Sequence, residues 1–178
     1  MKEKAYRFEG RAWIITYKDD NHRLILDIDT DQIFHNAYLH ITDIEKMGAY
    51  TFDNLEGWKD FASKAQPGDI VIAGSNFGSG SSRQQAVDCF KALGVKLIIA
   101  VSFGAIYKRN AINSGFPILV FKDAEKMVAE KKIANLNTIR VDLLSGKLKN
   151  LETGEEFQLT PFSKVQKDIY DHDTLLNI

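Results

Sequence analysis

A chain of 178 residues, 44% of them hydrophobic and 26% charged, is long enough to bury a core and ordinary in composition for a globular protein. Its net charge of −1 offers no bulk attraction to nucleic acid or to a membrane surface. The single cysteine, Cys89, excludes a disulfide framework within the chain and an iron–sulfur cluster held by the chain's own thiolates. No apolar run approaches transmembrane length and Met1-Lys2-Glu3-Lys4 lacks a signal-peptide core, so the expected location is cytoplasmic.

The first strand is expected within residues 6–17, around Arg11-Ala12-Trp13-Ile14-Ile15-Thr16, followed by a polar turn and short return over 18–26. Asp27, Asp29 and Asp31 then alternate with Ile28 and Thr30. A calcium loop would need a Gly and a distant Glu that are missing, so the spacing favours a turn-rich segment in which Thr30 or Asp31 caps the next element. His35 and His40 lack metal-ligand spacing and read as loop or surface histidines. Leu55, Trp58, Phe61 and Ala62 recur at helical spacing, predicting a helix over 52–65 that Pro67-Gly68 ends.

The centre of the chain is the stretch 70–93. Ile70-Val71-Ile72-Ala73 has strand length and β-branched content, a Gly- and Ser-rich loop covers 74–82, and Ala86, Cys89, Phe90 and Leu93 return at helical spacing before Gly94. Ser81, Ser82 and Arg83 are therefore expected at a helix entrance, where unpartnered N–H groups favour anions. Gly78 and Gly80 permit positive φ and close approach of a ligand, Ser81 or Ser82 would cap the helix, and Arg83 supplies a fork that matches a carboxylate. The loop lacks the third Gly of a dinucleotide fingerprint, the Lys of an ATPase phosphate loop and the frame of a nucleophile elbow. On loop chemistry alone, an anion site and a purely structural turn both remain open.

Residues 96–102 read as a second buried strand, making a right-handed βαβ unit with the first. A helix over 103–114 ends at Gly115, and 117–121 form a third strand. Arg109 is either a surface cation or a partner for a second carboxylate, while Asn110 and Asn113 read as local hydrogen-bond partners. A charged helix-forming stretch (123–134), strand-like segments over 137–144 and 148–159, and a peripheral helix or tail from Phe162 complete the chain. Repeats and dividing linkers are absent. The expected architecture is one compact α/β domain with mixed strands, spanning 1–178 with its core at about 10–160.

Asn76-Phe77-Gly78-Ser79-Gly80-Ser81-Ser82-Arg83 resembles the signature loop of the aconitase superfamily's swivelling β/β/α domain. In free-standing form that domain is the small subunit of 3-isopropylmalate dehydratase and of archaeal homoaconitase. Asp27-Ile28-Asp29-Thr30-Asp31-Gln32-Ile33 and Tyr38-Leu39 are similar to segments near the start of those subunits. Pro67-Gly68-Asp69-Ile70, Ser102-Phe103 and Tyr107-Lys108-Arg109-Asn110-Ala111-Ile112-Asn113-Ser114-Gly115-Phe116-Pro117 are similar to later ones. Three features depart from the family pattern: Gln84-Gln85 stands where relatives usually carry Glu-His, Ser79 replaces a Cys or acid, and His172-Asp173-Thr174 stands near where the family usually has Gly-Gly.

The resemblance implies a dehydration and rehydration of a hydroxy di- or tricarboxylic acid, with isopropylmalate the leading substrate and a homoaconitase or methyl-substituted malate dehydratase the alternative. It implies Ser81 as the base and Arg83 as its stabiliser and a grip on substrate. Ser82, Asn76, Gly78, Gly80, Asp29, Thr30 and Asp31 would line the site, and Tyr38, Leu39, His40 and Ile41 would meet the variable arm, His40 suiting a polar arm and Ile41 an isopropyl one. It further implies a large-subunit partner carrying a [4Fe–4S] cluster, none being bound by this chain, and allows a homo-oligomer in isolation. The rival from another class is a non-enzymatic module that holds a carboxylated metabolite.

Overall fold

The computed structural model describes residues 3–178, so the first two residues of the Met1-Lys2-Glu3-Lys4 start lie outside the described residues. In chain order the strands and helices are β1 (Arg7–Ile14), β2 (Thr16–Tyr17), β3 (Asp20–Leu24), α1 (Thr30–Ile33), α2 (Ile44–Met47), α3 (Phe61–Lys64), β4 (Ile70–Ala73), α4 (Gln85–Ala92), β5 (Leu97–Ala100), α5 (Ala105–Asn113), β6 (Ile118–Val120), α6 (Ala124–Ala129), β7 (Thr138–Asp142), β8 (Lys147–Asn150), β9 (Glu156–Gln158) and α7 (Lys164–Asp171).

Seven strands form one mixed sheet in the order β6-β5-β4-β1-β7-β8-β9, and β2 and β3 form a separate hairpin. The sheet changes character at β1. Ala12–Ile14 pair in parallel with Ile70–Ile72 of β4, whereas Arg7–Arg11 pair antiparallel with Asp142–Thr138 of β7. The two βαβ units, β4-α4-β5 and β5-α5-β6, join parallel neighbours, as parallel pairing requires.

The parallel strands are apolar on both faces because both faces are covered. Trp13, Val71, Ala73, Ile98 and Ala100 point into one core, closed by Phe52, Phe61, Val87, Phe90 and Tyr107. Ala12, Ile14, Ile70, Ile72, Leu97 and Ile99 point into the other, closed by α6, by Tyr170 of α7 and by Ile139, Val141 and Leu148. The alternation is the period-two rule of a strand carried across adjacent chains. Cys89 lies in the first core, fully buried.

The segment 52–65 differs from expectation. Only Phe61–Lys64 is helical. The rest advances by turns, Leu55 N–H donating to Phe52, Trp58 to Leu55 and Phe61 to Trp58. Positive φ at Phe52 (61°) and Gly57 (85°) prevents a continuous helix. Turns closing every three residues still bring Phe52, Leu55 and Phe61 to one buried side, so the apolar spacing marks the right face but the wrong element.

Candidate active site

The Gly/Ser loop leaves the C-terminal end of β4, and the Ser102-Phe103 segment leaves the C-terminal end of β5 beside it. In open α/β sheets this end is where ligands bind. The loop is tied down from both sides. On one side Asp27 N–H donates to Ser75 O (3.0 Å), Gly78 N–H to Ile28 O (2.7 Å) and Thr30 N–H to Ser79 O (2.9 Å). On the other, Phe77 N–H donates to Ser102 O (3.0 Å) and Gly104 N–H to Phe77 O (2.9 Å). Asn76, at φ 56°, donates its backbone N–H to the Ser102 hydroxyl (2.8 Å) and its side-chain amide to Asp27 (3.0 Å).

Gly78 is required twice over. Its φ is 80°, and a Cβ there would fall 2.2 Å from the ring of Tyr107. That ring is buried, and its hydroxyl donates to Ala86 O on α4 at 2.9 Å. Tyr107 therefore clamps the loop against the helix after it. At Gly80, with φ 94°, a Cβ would meet only ordinary contacts, the nearest being the Thr30 hydroxyl at 3.6 Å, so only backbone conformation calls for glycine there.

Ser81 is exposed, and its Oγ makes no hydrogen bond to a described residue. Its carbonyl is held by the buried Thr30 hydroxyl at 3.0 Å. The backbone N–H groups of Ser81, Ser82 and Arg83 donate to no acceptor among the described residues. They precede α4 rather than belonging to it, because the helix starts at Gln85. Its N-cap is Gln84, whose side chain makes no cap bond. The expected cap by Ser81 or Ser82 is therefore corrected: neither hydroxyl is spent on the helix. Ser82 Oγ instead accepts from the Asn110 side-chain amide at 3.0 Å.

Arg83 is fixed by a single nitrogen. Nη1 donates to Asp31 Oδ1 (2.9 Å) and to Phe34 O (3.0 Å), which uses both of its hydrogens. Nε and Nη2 have no acceptor among the described residues, and that edge is the side-on fork that takes a carboxylate bidentately. Asp31 also accepts from Asn36 N–H (2.9 Å) and the Asn54 amide (3.2 Å). The Arg83 guanidinium is the main reason its carboxyl sits below the ordinary carboxylate value.

The remaining expected residues separate into framework and surface. Asp29, not Thr30 or Asp31, caps α1, in a capping box with Gln32: its carboxylate accepts from Gln32 N–H at 2.8 Å. Tyr38 stacks on Tyr50 with centroids 4.1 Å apart and donates its hydroxyl to Asp53 at 2.9 Å; that bond raises its pKa. Leu39 and Ile41 pack half-buried on the core, leaving His40 exposed. Arg109 is exposed on α5 and makes no ion pair with a described residue. Asn54, Ser102 and Tyr107, which hold the loop and its arginine, were not assigned from the sequence; the bulky Tyr107 opposite Gly78 was the available signal.

Among the described residues no group of His, Cys, Asp and Glu has a metal-binding arrangement. Cys89 is sealed from solvent, and burial pushes its thiol up to about 12, so it is no thiolate ligand. The donors of this chain do not fit an iron–sulfur cluster. A cavity of about 430 Å³ opens away from the loop, beside Lys18, His22, Trp58 and Lys131, and none of the expected site residues lines it.

Residues 22–124, which contain the whole loop and its supports, match the aconitase C-terminal domain. The chain belongs to that family. Its relatives include a 3-isopropylmalate dehydratase small subunit from Aquifex aeolicus, 41% identical over 92% of this chain and 88% of the relative. A methanogen homoaconitase small subunit from Methanothermobacter thermautotrophicus is 36% identical over 94% and 88%. The crystal structure of a 3-isopropylmalate dehydratase from Methanocaldococcus jannaschii superimposes with a TM-score of 0.81 at 28% identity, covering 96% of this chain and 92% of that one. The expected family and fold class are thus established, and the loop described above lies inside the aconitase C-terminal domain. Among the described residues no helix is long and apolar enough to cross a membrane.

Proposed function

We propose that this chain is the small subunit of a hydro-lyase that interconverts 2-isopropylmalate and 3-isopropylmalate by dehydration and rehydration, working with a large-subunit partner. The observation that carries the reading is Ser81: an exposed hydroxyl, bonded to nothing in the chain, beside three unspent backbone N–H groups and a fixed guanidinium.

In the forward half-reaction a proton leaves a carbon next to a carboxylate. The C–H electron pair becomes the new double bond, and hydroxide leaves the neighbouring carbon. Ser81, as alkoxide, receives that proton and becomes a neutral hydroxyl; rehydration returns it. A serine is a poor base in water, so its charged form has to be stabilised. The N–H groups of Ser81, Ser82 and Arg83, which donate to no acceptor among the described residues, are the donors available for this purpose. The Nε/Nη2 edge of Arg83 holds a substrate carboxylate while Nη1 stays on Asp31, so substrate binding need not break the ion pair.

Departure of the hydroxyl is assigned to the partner, where a [4Fe–4S] cluster would supply Lewis acidity. The open face around Ser81 supports a site completed by another chain. Asn76, Gly78 and Gly80 shape the loop; Asp29 and Thr30 hold it from behind rather than touching substrate; Arg109 is the available cation for a second carboxylate.

A homoaconitase reading is favoured by one observation. After Tyr38 and Leu39 the exposed residue is His40, while Ile41 packs half-buried on the core, and a polar side chain able to donate a hydrogen bond suits a carboxylated arm. Reconstitution with a cluster-bearing large subunit under anaerobic conditions, assayed on isopropylmalate, homocitrate-derived acids and citrate, separates the two. Turnover of isopropylmalate is expected. Turnover of the homocitrate series alone would reassign the substrate, and binding without turnover of any acid would favour a carboxylate-binding module.

A further inference from the structure

Helix α5 has a role in this site beyond shape. Its Tyr107 ring fills the space that Gly78 leaves, and the Tyr107 hydroxyl reaches across to Ala86 on α4. The turn before α5 is bonded to the loop through Gly104 and Phe77. Helix and loop thus form one rigid unit. Asn110, three residues after Tyr107, lies on the same side of the helix. Its amide nitrogen meets Ser82 Oγ at 3.0 Å.

The direction of that bond decides what Ser82 can do. A hydroxyl has one hydrogen to donate and two lone pairs to accept with. The Asn110 amide nitrogen can only donate, so Ser82 accepts and its own hydrogen is left over. No described residue accepts it, and Ser82 is exposed and directly precedes Arg83, whose Nε and Nη2 also have no acceptor among the described residues. Resting on the functional reading above, we infer that Asn110 is a positioning residue: it fixes Ser82 as a hydrogen-bond donor to the substrate carboxylate that Arg83 holds. Asn110 itself touches no substrate. An Asp at this position would accept the Ser82 hydrogen, withdraw the donor and place a negative charge near the carboxylate.

The test uses the assembled two-subunit enzyme and steady-state kinetics on isopropylmalate. Asn110→Ala is expected to raise KM about tenfold and Asn110→Asp about a hundredfold, both with kcat within about twofold. Asn110→Ala made in a Ser82→Ala background is expected to add almost nothing. The bond is on the surface, so thermal unfolding of the single variants should match the parent within about 2 °C. A KM effect of Asn110→Ala that persists undiminished without the Ser82 hydroxyl, or a fall in kcat at constant KM, overturns the assignment, as does no effect at all. If the parent enzyme turns over no hydroxy acid, the functional reading fails and this inference falls with it, an outcome distinct from an active parent with unmoved variants.

Discussion

Arg83 and Asp31 define what the site can do at the scale of single residues. One guanidinium nitrogen is committed to Asp31 and Phe34, and the opposite edge is kept open. Because Arg83 holds the Asp31 carboxyl below its ordinary 3.8, the pair stabilises the fold fully above that value and loses the contribution as pH falls through the lower folded value. Asp31→Asn should therefore be less stable than the parent at neutral pH, with the gap closing well below 3.8; chemical unfolding at both pH values measures it. A gap that stays constant would mean that charge is irrelevant to the contact. The place of Ser81, Ser82 and Arg83 on the loop between β4 and α4 was legible in the sequence, while the roles proposed for them rest on the family resemblance, because loop chemistry alone left a structural turn open. The bond partners were not legible. Asn110 lies 28 positions from Ser82 and Asp31 lies 52 from Arg83, separations at which only the fold brings side chains together. The cap of α1 was a local signal misjudged: Asp29-x-x-Gln32 is a capping-box spacing, and it names Asp29 rather than its neighbours.

Among the elements, the strand–loop–helix around Gly78 and Gly80 was readable because glycine marks backbone that other residues avoid. The two glycines are not equivalent, which allows a sharp comparison. Gly80→Ala meets no atom closer than 3.6 Å and should cost only the positive-φ penalty, about 1–2 kcal/mol. Gly78→Ala adds a collision with the buried Tyr107 ring and should cost about 2–5 kcal/mol, displacing the loop and lowering activity. Equal unfolding midpoints for the two variants would contradict the clamp. The segment 52–65 misleads a reader of periodicity for a related reason. Apolar residues three apart fit a helix and equally fit consecutive turns, and Phe52 at φ 61° gives no hint in its side chain that it adopts left-handed backbone.

For the molecule as a whole, β1 joins the parallel half of the sheet to the antiparallel half, and Asp69 secures it. Its buried carboxylate accepts from Arg11 (2.8 Å), Trp13 Nε1 (2.7 Å) and Gln66 N–H (2.8 Å). Burial pushes its pKa up, and these donors pull it further down, leaving it lowered. Asp69→Ala strands the Trp13 and Gln66 donors and should destabilise the chain by about 2–4 kcal/mol, read from its denaturation midpoint. The two-faced sheet was predictable from unbroken apolar runs such as Ile70–Ala73; within β1 the same contrast separates Arg7–Arg11, where charges alternate and the strand pairs with β7, from the apolar Ala12-Trp13-Ile14 that pairs with β4, but the identity of the partner strands was not legible. That frame leaves the Ser81 hydroxyl bare on an open face, and the proposed chemistry turns on it. The most direct test is turnover of isopropylmalate by the assembled enzyme carrying Ser81→Ala. Loss of kcat by at least about a hundredfold, with assembly and substrate affinity retained, is the predicted result. Activity within a few-fold of the parent would contradict a proton-transfer role for Ser81.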